Sequence, residues 1–459
     1  MTATQLDTGS HGSLIGHRMP DPYATDRLLP NGRSPSLADH LARLGPMPRT
    51  TPAQLAQLLE GAGLLGRGGA GFPTGRKVSA VAAAVISKGL PAVVVANCCE
   101  GDPTSLKDRV LIERSPHLVI DGALHAAEAL GADQVVLAVH DDSPARLVLA
   151  AALAERPHTA CEVSVVEVPD RYIASEATAL VRYLNSGDAR PAGKLVPIWE
   201  TGVGGRPTLV DNAETLAQLA LIARFGPAWF GAVGTAAEPG TSLVTIGGAV
   251  RRPGVVEVAH GTPLAAVLGR AGAPSAGWAL LGGLAGRWVD LSAMAGVGFS
   301  TAELLAAGGT RGVGSITVLP PGGCVLGETA RILRYHADAG ARQCGPCMFG
   351  LPAIAADMAA LGAGDRGALD RLRRRLPVIN GRGGCGHPDG AVALAASALS
   401  VLTTREPGHL HEHLTAGRCQ APPPIVPLGV VLPVPVPGPA TQRRPSGSVP
   451  ASTSRGRLS

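Results

Sequence analysis

The chain has 459 residues, 45% of them apolar and only 3% aromatic, with a formal net charge of +5. That length supports two or three domains with cores built from Ala, Val and Leu, and the near balance of charge, with no basic run interleaved with aromatics, argues against nucleic acid as a partner. No apolar leader-like segment opens the chain, and the stretch Pro422 to Pro439 is too rich in proline to form a membrane span, so the chain is expected in the cytoplasm, with no span of its own.

Residues 1–50 read as a polar, Pro-rich arm with one short helix near Ser36–Leu44. Thr51-Pro52 supplies a cap and first turn for a helix ending at Gly61, because Pro is tolerated where no intrahelical N–H bond is needed. A glycine-rich loop follows, Gly63 to Gly75, then a buried strand over Ala92–Ala96 and the polar loop Asn97–Asp102. Helix Pro116–Leu130, strand Gln134–Val139, helix Ser143–Glu155 and strand Glu162–Val168 continue the alternation. Strands alternating with helices predict an α/β domain on a parallel, doubly wound sheet, over residues 51–235. Over 240–315, two short strands (Leu243–Ile246, Val255–Val258) flank the turn Arg251-Arg-Pro-Gly254 and lead into helix Pro263–Ala271, a β-grasp-like pattern. Residues 325–405 are helical between two cysteine loops, and 420–459 form a Pro/Ser-rich tail expected to be disordered.

The loop Gly66-Arg-Gly-Gly-Ala-Gly-Phe-Pro-Thr-Gly75 lets backbone approach a ligand closely. Its N–H groups, at the start of a helix, can hold a phosphate, with Lys77 as an added point charge. It follows a helix, not a strand, so it is not the dinucleotide fingerprint. Asn97, Glu100 and Asp102 come directly after a buried strand, at the sheet edge where such folds place ligands. Lysine occurs four times in the chain, at 77, 88, 107 and 194, against 36 arginines, which marks a retained lysine as one where chemistry asks for it.

Four blocks together resemble the flavin-bearing, NADH-oxidising subunit (F or 51 kDa type) of respiratory complex I and related subunits of NAD-dependent hydrogenases and formate dehydrogenases. They are the glycine loop, Asn97–Arg109 with Pro116-His117-Leu118, Arg171–Leu180, and Gly204–Thr215. The resemblance covers roughly residues 36–405 and implies a Rossmann-like FMN domain, an SLBB-type β-grasp domain and a helical-bundle iron–sulfur domain. It implies FMN on the glycine loop, NADH as the substrate donating hydride, and an iron–sulfur cluster receiving single electrons. Gly66, Arg67, Gly68, Gly69, Lys77, Asn97, Glu100, Tyr172, Glu176, Asp211 and Asn212 match flavin-site positions; Phe72, Asp102 and Lys194 match positions near the nicotinamide nucleotide, with Asp102 and Glu176 assigned to catalysis. Departures from the family pattern are Cys99 for Asp, Asp102 for Glu, Ser175-Glu176-Ala177 for Gly-Glu-Glu, Ala80 for an aromatic, and Pro197 for another.

Cys344-Gly-Pro-Cys347 and Cys385 form the spaced cysteine set. In a reducing compartment such spacing signals metal rather than disulfides. The family supplies four thiolates as C-x-x-C-x-x-C plus one distant Cys; here Ala341 stands in the first place. Three outcomes follow: a [4Fe–4S] cluster with a fourth ligand from His387, His336 or Cys324, a [3Fe–4S] cluster, or zinc held by three Cys and one His. Cys98, Cys99, Cys161 and Cys419 have no partner spacing, and His409, His411 and His413 read as solvated. The function expected is an electron-transfer subunit serving a ferredoxin-like or thioredoxin-fold [2Fe–2S] acceptor, in peripheral association with a membrane complex. The rival is a non-catalytic relative that keeps the scaffold.

Overall fold

The computed structural model describes residues 26–30, 35–157, 161–193 and 196–429. Lys194, most of the N-terminal arm and the tail from 430 onward lie outside them. The described part of the arm is packed: Leu28 and Leu29 are buried, Arg27 lies over the Trp229 ring at 4.0 Å, and the Leu28 N–H donates to Glu257 Oε2 at 2.8 Å.

The first domain runs α1 (Leu37–Leu44), α2 (Pro52–Gly61), α3 (Thr74–Lys88), β1 (Val93–Asn97), α4 (Lys107–Arg114), α5 (Pro116–Leu130), β2 (Gln134–His140), α6 (Ala145–Ala154), β3 (Glu162–Val168), α7 (Ala177–Ser186), β4 (Thr208–Asn212) and α8 (Ala213–Gly231). Thr51 and Gln54 cap α2 reciprocally, as the Thr-Pro start predicts. The four strands are all parallel, in the order β3-β2-β1-β4. Val93 to Ala96 are fully buried, which fits a strand covered by helices on both faces. The register pairs Asn97 with Asn212, so two amide side chains end adjacent strands side by side.

The second domain comprises β5 (Thr241–Gly248), β6 (Gly254–Ala259), α9 (Leu264–Ala271), β7 (Trp278–Leu281), β8 (Arg287–Asp290), α10 (Leu291–Met294), α11 (Thr301–Ala306) and β9 (Ser315–Val318). Its mixed sheet has the order β6-β5-β9-β7-β8, with β5 and β9 parallel. The expected turn at 251–254 joins β5 to β6.

The third domain is α12 (Val325–Ala339), α13 (Leu351–Gly362), α14 (Gly367–Ile379), α15 (His387–Ser400) and α16 (Pro407–Ala416) around an aliphatic core. Residues 421–429, expected to be disordered, instead lie along α12. Ile425 and Val426 donate their N–H groups to Glu328 Oε1 at 2.5 and 3.1 Å, and Val426 is buried. Backbone bonds to a buried carboxylate override the local Pro-rich composition.

Helices α5 and α8 cross at Gly122. A Cβ there would collide with the carbonyl oxygen and carbon of Leu216, which cannot rotate away. Gly122→Ala is therefore expected to cost about 3 kcal/mol, the upper end of overpacking effects. Thermal unfolding checks it, and an unchanged midpoint would contradict so close a crossing.

Candidate functional site

The glycine loop between α2 and α3 is closed at its neck. Gly66 N–H donates to Phe72 O and Thr74 N–H to Leu64 O, both at 2.9 Å. Gly69 (φ +103°) and Gly71 (φ +63°) hold left-handed conformations that disfavour a side chain. Arg67 turns inward and is 4% exposed. Its N–H donates to Thr215 Oγ1 at 2.9 Å, and its guanidinium donates to Thr241 O at 3.1 Å and faces Glu238 at 3.7 Å. Burial and the neighbouring Arg311 lower its pKa to about 10, against the pull of Glu214 and Glu238.

Lys77 does not present a free charge to the loop. Its ammonium pairs with the Asp211 carboxylate and donates to Val210 O at 2.9 Å. Asp211 is buried, which raises its pKa although Lys77 opposes the shift.

Most carboxylates at the sheet's edge are engaged with backbone. Glu100 accepts from Ser105 Oγ at 2.5 Å, Asp108 N–H at 3.1 Å and Arg109 N–H at 3.2 Å, so it caps α4. Asp102 accepts from Thr104 N–H and from Leu284 N–H at 2.8 Å, which ties the sheet to the β-grasp domain. Glu176 caps α7 by accepting from Thr178 and Ala179 N–H at 3.0 Å. Asn97 Nδ2 donates to Ser175 O at 2.8 Å, joining the second and third sequence blocks. Asn212 caps α8 through its Oδ1 and directs Nδ2 at Asp108.

These groups surround a cavity of about 460 Å³, within the range of small-molecule sites. Its walls include Arg67, Gly68 and Gly69 from the loop, Asn97, Glu100, Asp102 and Asn212 from the sheet's end, and Tyr172 and Glu176 from the third block. Gly66, Phe72, Lys77 and Asp211 stand off the lining; Gly66 closes the loop's neck, and Phe72 is 46% exposed at the rim. Sequence reasoning missed the far walls, Gly312 and Val313 of the β-grasp domain and His387 of the helical domain. It also left Lys107 without a role, although the scarcity of lysine was a signal for it. Lys107 is buried and pairs with Asp108 at 2.8 Å and Glu214 at 3.0 Å. Burial opposes its charge, but Asp108, Glu214 and Glu100 outweigh this and hold its pKa above the ordinary value. Cys99 lines the cavity, and burial keeps its thiol protonated.

The three spaced cysteines gather beside this cavity. Burial raises the Cys385 thiol to about 11, and Glu176, Cys347 and Cys344 each add to the shift. Cys347 sits in a π-helical turn, Pro346–Gly350, and accepts from Arg342 N–H at 3.1 Å. Among the described residues this trio does not bring its sulfurs within 4.8 Å of one another as a set. His336 donates through Nε2 to Leu284 O at 3.0 Å, and His387 through Nε2 to His336 O at 2.9 Å. Both Nδ1 atoms are buried without a partner. A Cβ on Gly340 would lie 2.6 Å from Cys347 Sγ and 3.6 Å from His387 Nε2, so these two side chains adjoin. Cys324 is not part of this group: its sulfur lies 3.3 Å from His413 Nε2 instead.

Burial first, and Asp108 second, raise the Glu100 pKa to about 7, against about 4.3 in an unfolded chain. A raised carboxyl pKa contributes stability that is complete below about pH 4.3 and is lost as pH rises through about 7. The melting temperature of the wild type relative to Glu100→Gln is therefore expected to fall across that window and level off above it. A difference independent of pH would overturn the assignment.

Comparison with known proteins agrees with this organisation. Residues 59–221 match the Nuo51 FMN-binding domain, 243–280 the SLBB domain, and 328–404 the NADH-ubiquinone oxidoreductase-F iron-sulfur binding region. The chain is 30% identical over 382 residues to the F 2 subunit of NADH-quinone oxidoreductase of Rhizobium meliloti (strain 1021), covering 79% of this chain and 90% of that one. It is 28% identical to the HndC subunit of the NADP-reducing hydrogenase of Solidesulfovibrio fructosivorans, covering 73% and 72%. The crystal structure of the H2-reduced NAD+-reducing [NiFe]-hydrogenase superposes with a TM-score of 0.69 at 26% identity, over 80% of this chain and 63% of that one, under two thirds of its length. No helix among the described residues is long and apolar enough to cross a membrane. The chain belongs to the family of F-type subunits of NADH-quinone oxidoreductase.

Proposed function

We propose that this protein is an electron-transfer oxidoreductase subunit that takes electrons from NADH through FMN to an iron–sulfur cluster. The observation that carries the reading is the shared wall. Tyr172 lines the cavity and sets its ring 5.1 Å from His336 and 5.3 Å from His387, while His387 lines the same cavity and adjoins Cys347. A flavin and a cluster bound in these two places would be separated by a few side chains. FMN, when bound, supplies the exchange between a two-electron donor and a one-electron acceptor.

The protein's residues hold and orient. The N–H groups of Gly68–Gly71 would receive the phosphate, since those of Gly66 and Arg67 are engaged with Phe72 O and Thr215 Oγ1 and fix the loop from beneath. Lys77 acts at one remove, by anchoring β4 through Asp211. Asn97, Glu100 and Asn212 line the cavity and would hold the flavin ring, with Lys107 as the buried cation that steadies the charge beside it. Asp102 and Glu176, assigned to catalysis from sequence, have oxygens committed to backbone N–H groups and act by positioning, and Phe72, exposed at the rim, is the described residue on the side open to a nicotinamide nucleotide. Cys344, Cys347 and Cys385 supply three thiolates. Of the two histidines with a buried, unpartnered Nδ1, His336 and His387, it is His387 that adjoins Cys347, which supports it as the fourth donor in place of Ala341. The exposed Met348 and Phe349, beside Cys347, offer an apolar face to an iron–sulfur acceptor protein. All eight cysteines are free, which suits work in the cytoplasm.

Anaerobic purification, absorbance and EPR before and after NADH test the reading. Flavin bands should bleach and an iron–sulfur signal appear; a colourless protein after reconstitution with FMN, iron and sulfide would leave the rival, a scaffold. Cys385→Ser should abolish the iron signal and keep the flavin. Ala341→Cys should lower the cluster's reduction potential, because thiolate then replaces imidazole. An unmoved potential with an unmoved spectrum would mean that position 341 does not meet the cluster.

A further inference from the structure

A second group of metal-ligating side chains, to which Cys324 and His413 belong, lies apart from the cavity and from the three spaced cysteines. The atoms Cys324 Sγ, Cys419 Sγ and one ring nitrogen each of His409 and His413 all lie within 4.8 Å of one another. We propose that these four side chains form a structural zinc site of the Cys2His2 type that fastens the C-terminal end of the helical domain to its beginning.

The geometry fits a tetrahedral ion. With Zn–S of about 2.3 Å and Zn–N of about 2.0 Å, the edges of a tetrahedron are about 3.3–3.8 Å. The Cys324 Sγ to His413 Nε2 distance is 3.3 Å. His409 and His413 are four apart on α16, on one helical face, and their rings stack with centroids 5.3 Å apart and planes 7° apart. His411 lies between them on the exposed side.

The tautomers are also set for metal. His413 Nδ1 donates to Gly362 O at 2.8 Å, which leaves the Nε2 lone pair directed at Cys324. His409 Nδ1 faces Glu406 Oε2 at 3.6 Å, and its Nε2 is buried without any partner. Glu406 is itself held by Trp278 Nε1–H at 2.6 Å. Carboxylate and carbonyl partners behind ligating imidazoles are the usual outer support of such sites. Cys324 caps α12 and accepts from Gly327 N–H at 3.0 Å, a donor at a helix N-terminus that favours thiolate. Without a cation, burial raises that thiol to about 12. Two thiolates neutralise a divalent ion, so the filled site carries no net charge into a half-buried position. Binding releases the thiol protons, and occupancy therefore falls as pH falls.

The four ligands bracket the iron–sulfur region matched at 328–404, from which none of them comes. Cys324 immediately precedes α12 and Cys419 follows α16, so one ion closes the chain around all five helices. It also fixes the start of the 421–429 segment that lies on α12.

The test is metal analysis of the full-length protein, purified anaerobically from zinc-supplemented culture. The expected result is about one zinc per chain, retained when Cys344→Ser/Cys385→Ser removes the iron. It should be lost from Cys419→Ser/His409→Gln, which keeps the iron signal. Zinc that persists in Cys419→Ser/His409→Gln, or leaves with the cluster cysteines, overturns the proposal, as does a Cys324–Cys419 disulfide in the unreduced protein. Should the double variant fail to fold, zinc-edge X-ray absorption of the wild type decides: two sulfur and two nitrogen neighbours support the site, and any other shell rejects it.

Discussion

The cavity depends on a set of buried charges that must all be paired at the junction of the first two domains. Lys107 holds Asp108 and Glu214; Glu214 also accepts the Leu243 N–H at 2.9 Å, from the first β-grasp strand. Arg67 and Arg311 share Glu238, which in turn receives Thr301 N–H. Removing one member of such a set leaves an uncompensated charge in a dry place, at a cost of about 3–5 kcal/mol. The glycine loop, the sheet's end and the β-grasp wall are therefore fixed relative to one another by electrostatics as much as by apolar packing.

This arrangement separates holding from reacting. Glu100, Asp102, Glu176 and Asn212 all line the cavity, yet each also caps a helix or receives a backbone N–H from another segment. The ligand-facing groups are thus locked in one rotamer by the same bonds that terminate the secondary structure. That is how a site built on loop residues acquires the rigidity of helices and strands.

Much of this was legible in the sequence. Long valine runs announce β1 to β3, the Thr-Pro pair announces α2, and the glycine loop, with Asn97 and Glu100 after a buried strand, points to the cavity. What escaped was set by pairing rather than by local pattern. Strand β4 is five residues long and gains its identity from lying beside β1. Lys77 has the spacing of a phosphate ligand, but Asp211 lies within its reach across the fold. The His409, His411, His413 alternation looks like a solvated run until a helix sorts it into two faces, and Cys324 meets His413 across 89 positions of sequence. No spacing rule spans such a separation.

The contact of Tyr172 with His336 and His387 has a kinetic consequence. Electron tunnelling decays exponentially with the gap between donor and acceptor, so a gap that breathes makes transfer a gated process. Between the cavity and Cys347 stand rings in mutual contact, Tyr172 from the first domain against His336 and His387 of the helical domain, with His387 Nε2 donating to His336 O. With a flavin and a cluster bound on either side, the spacing between them would be set by the packing of these rings, and the pace of transfer would answer to driving force and reorganisation energy.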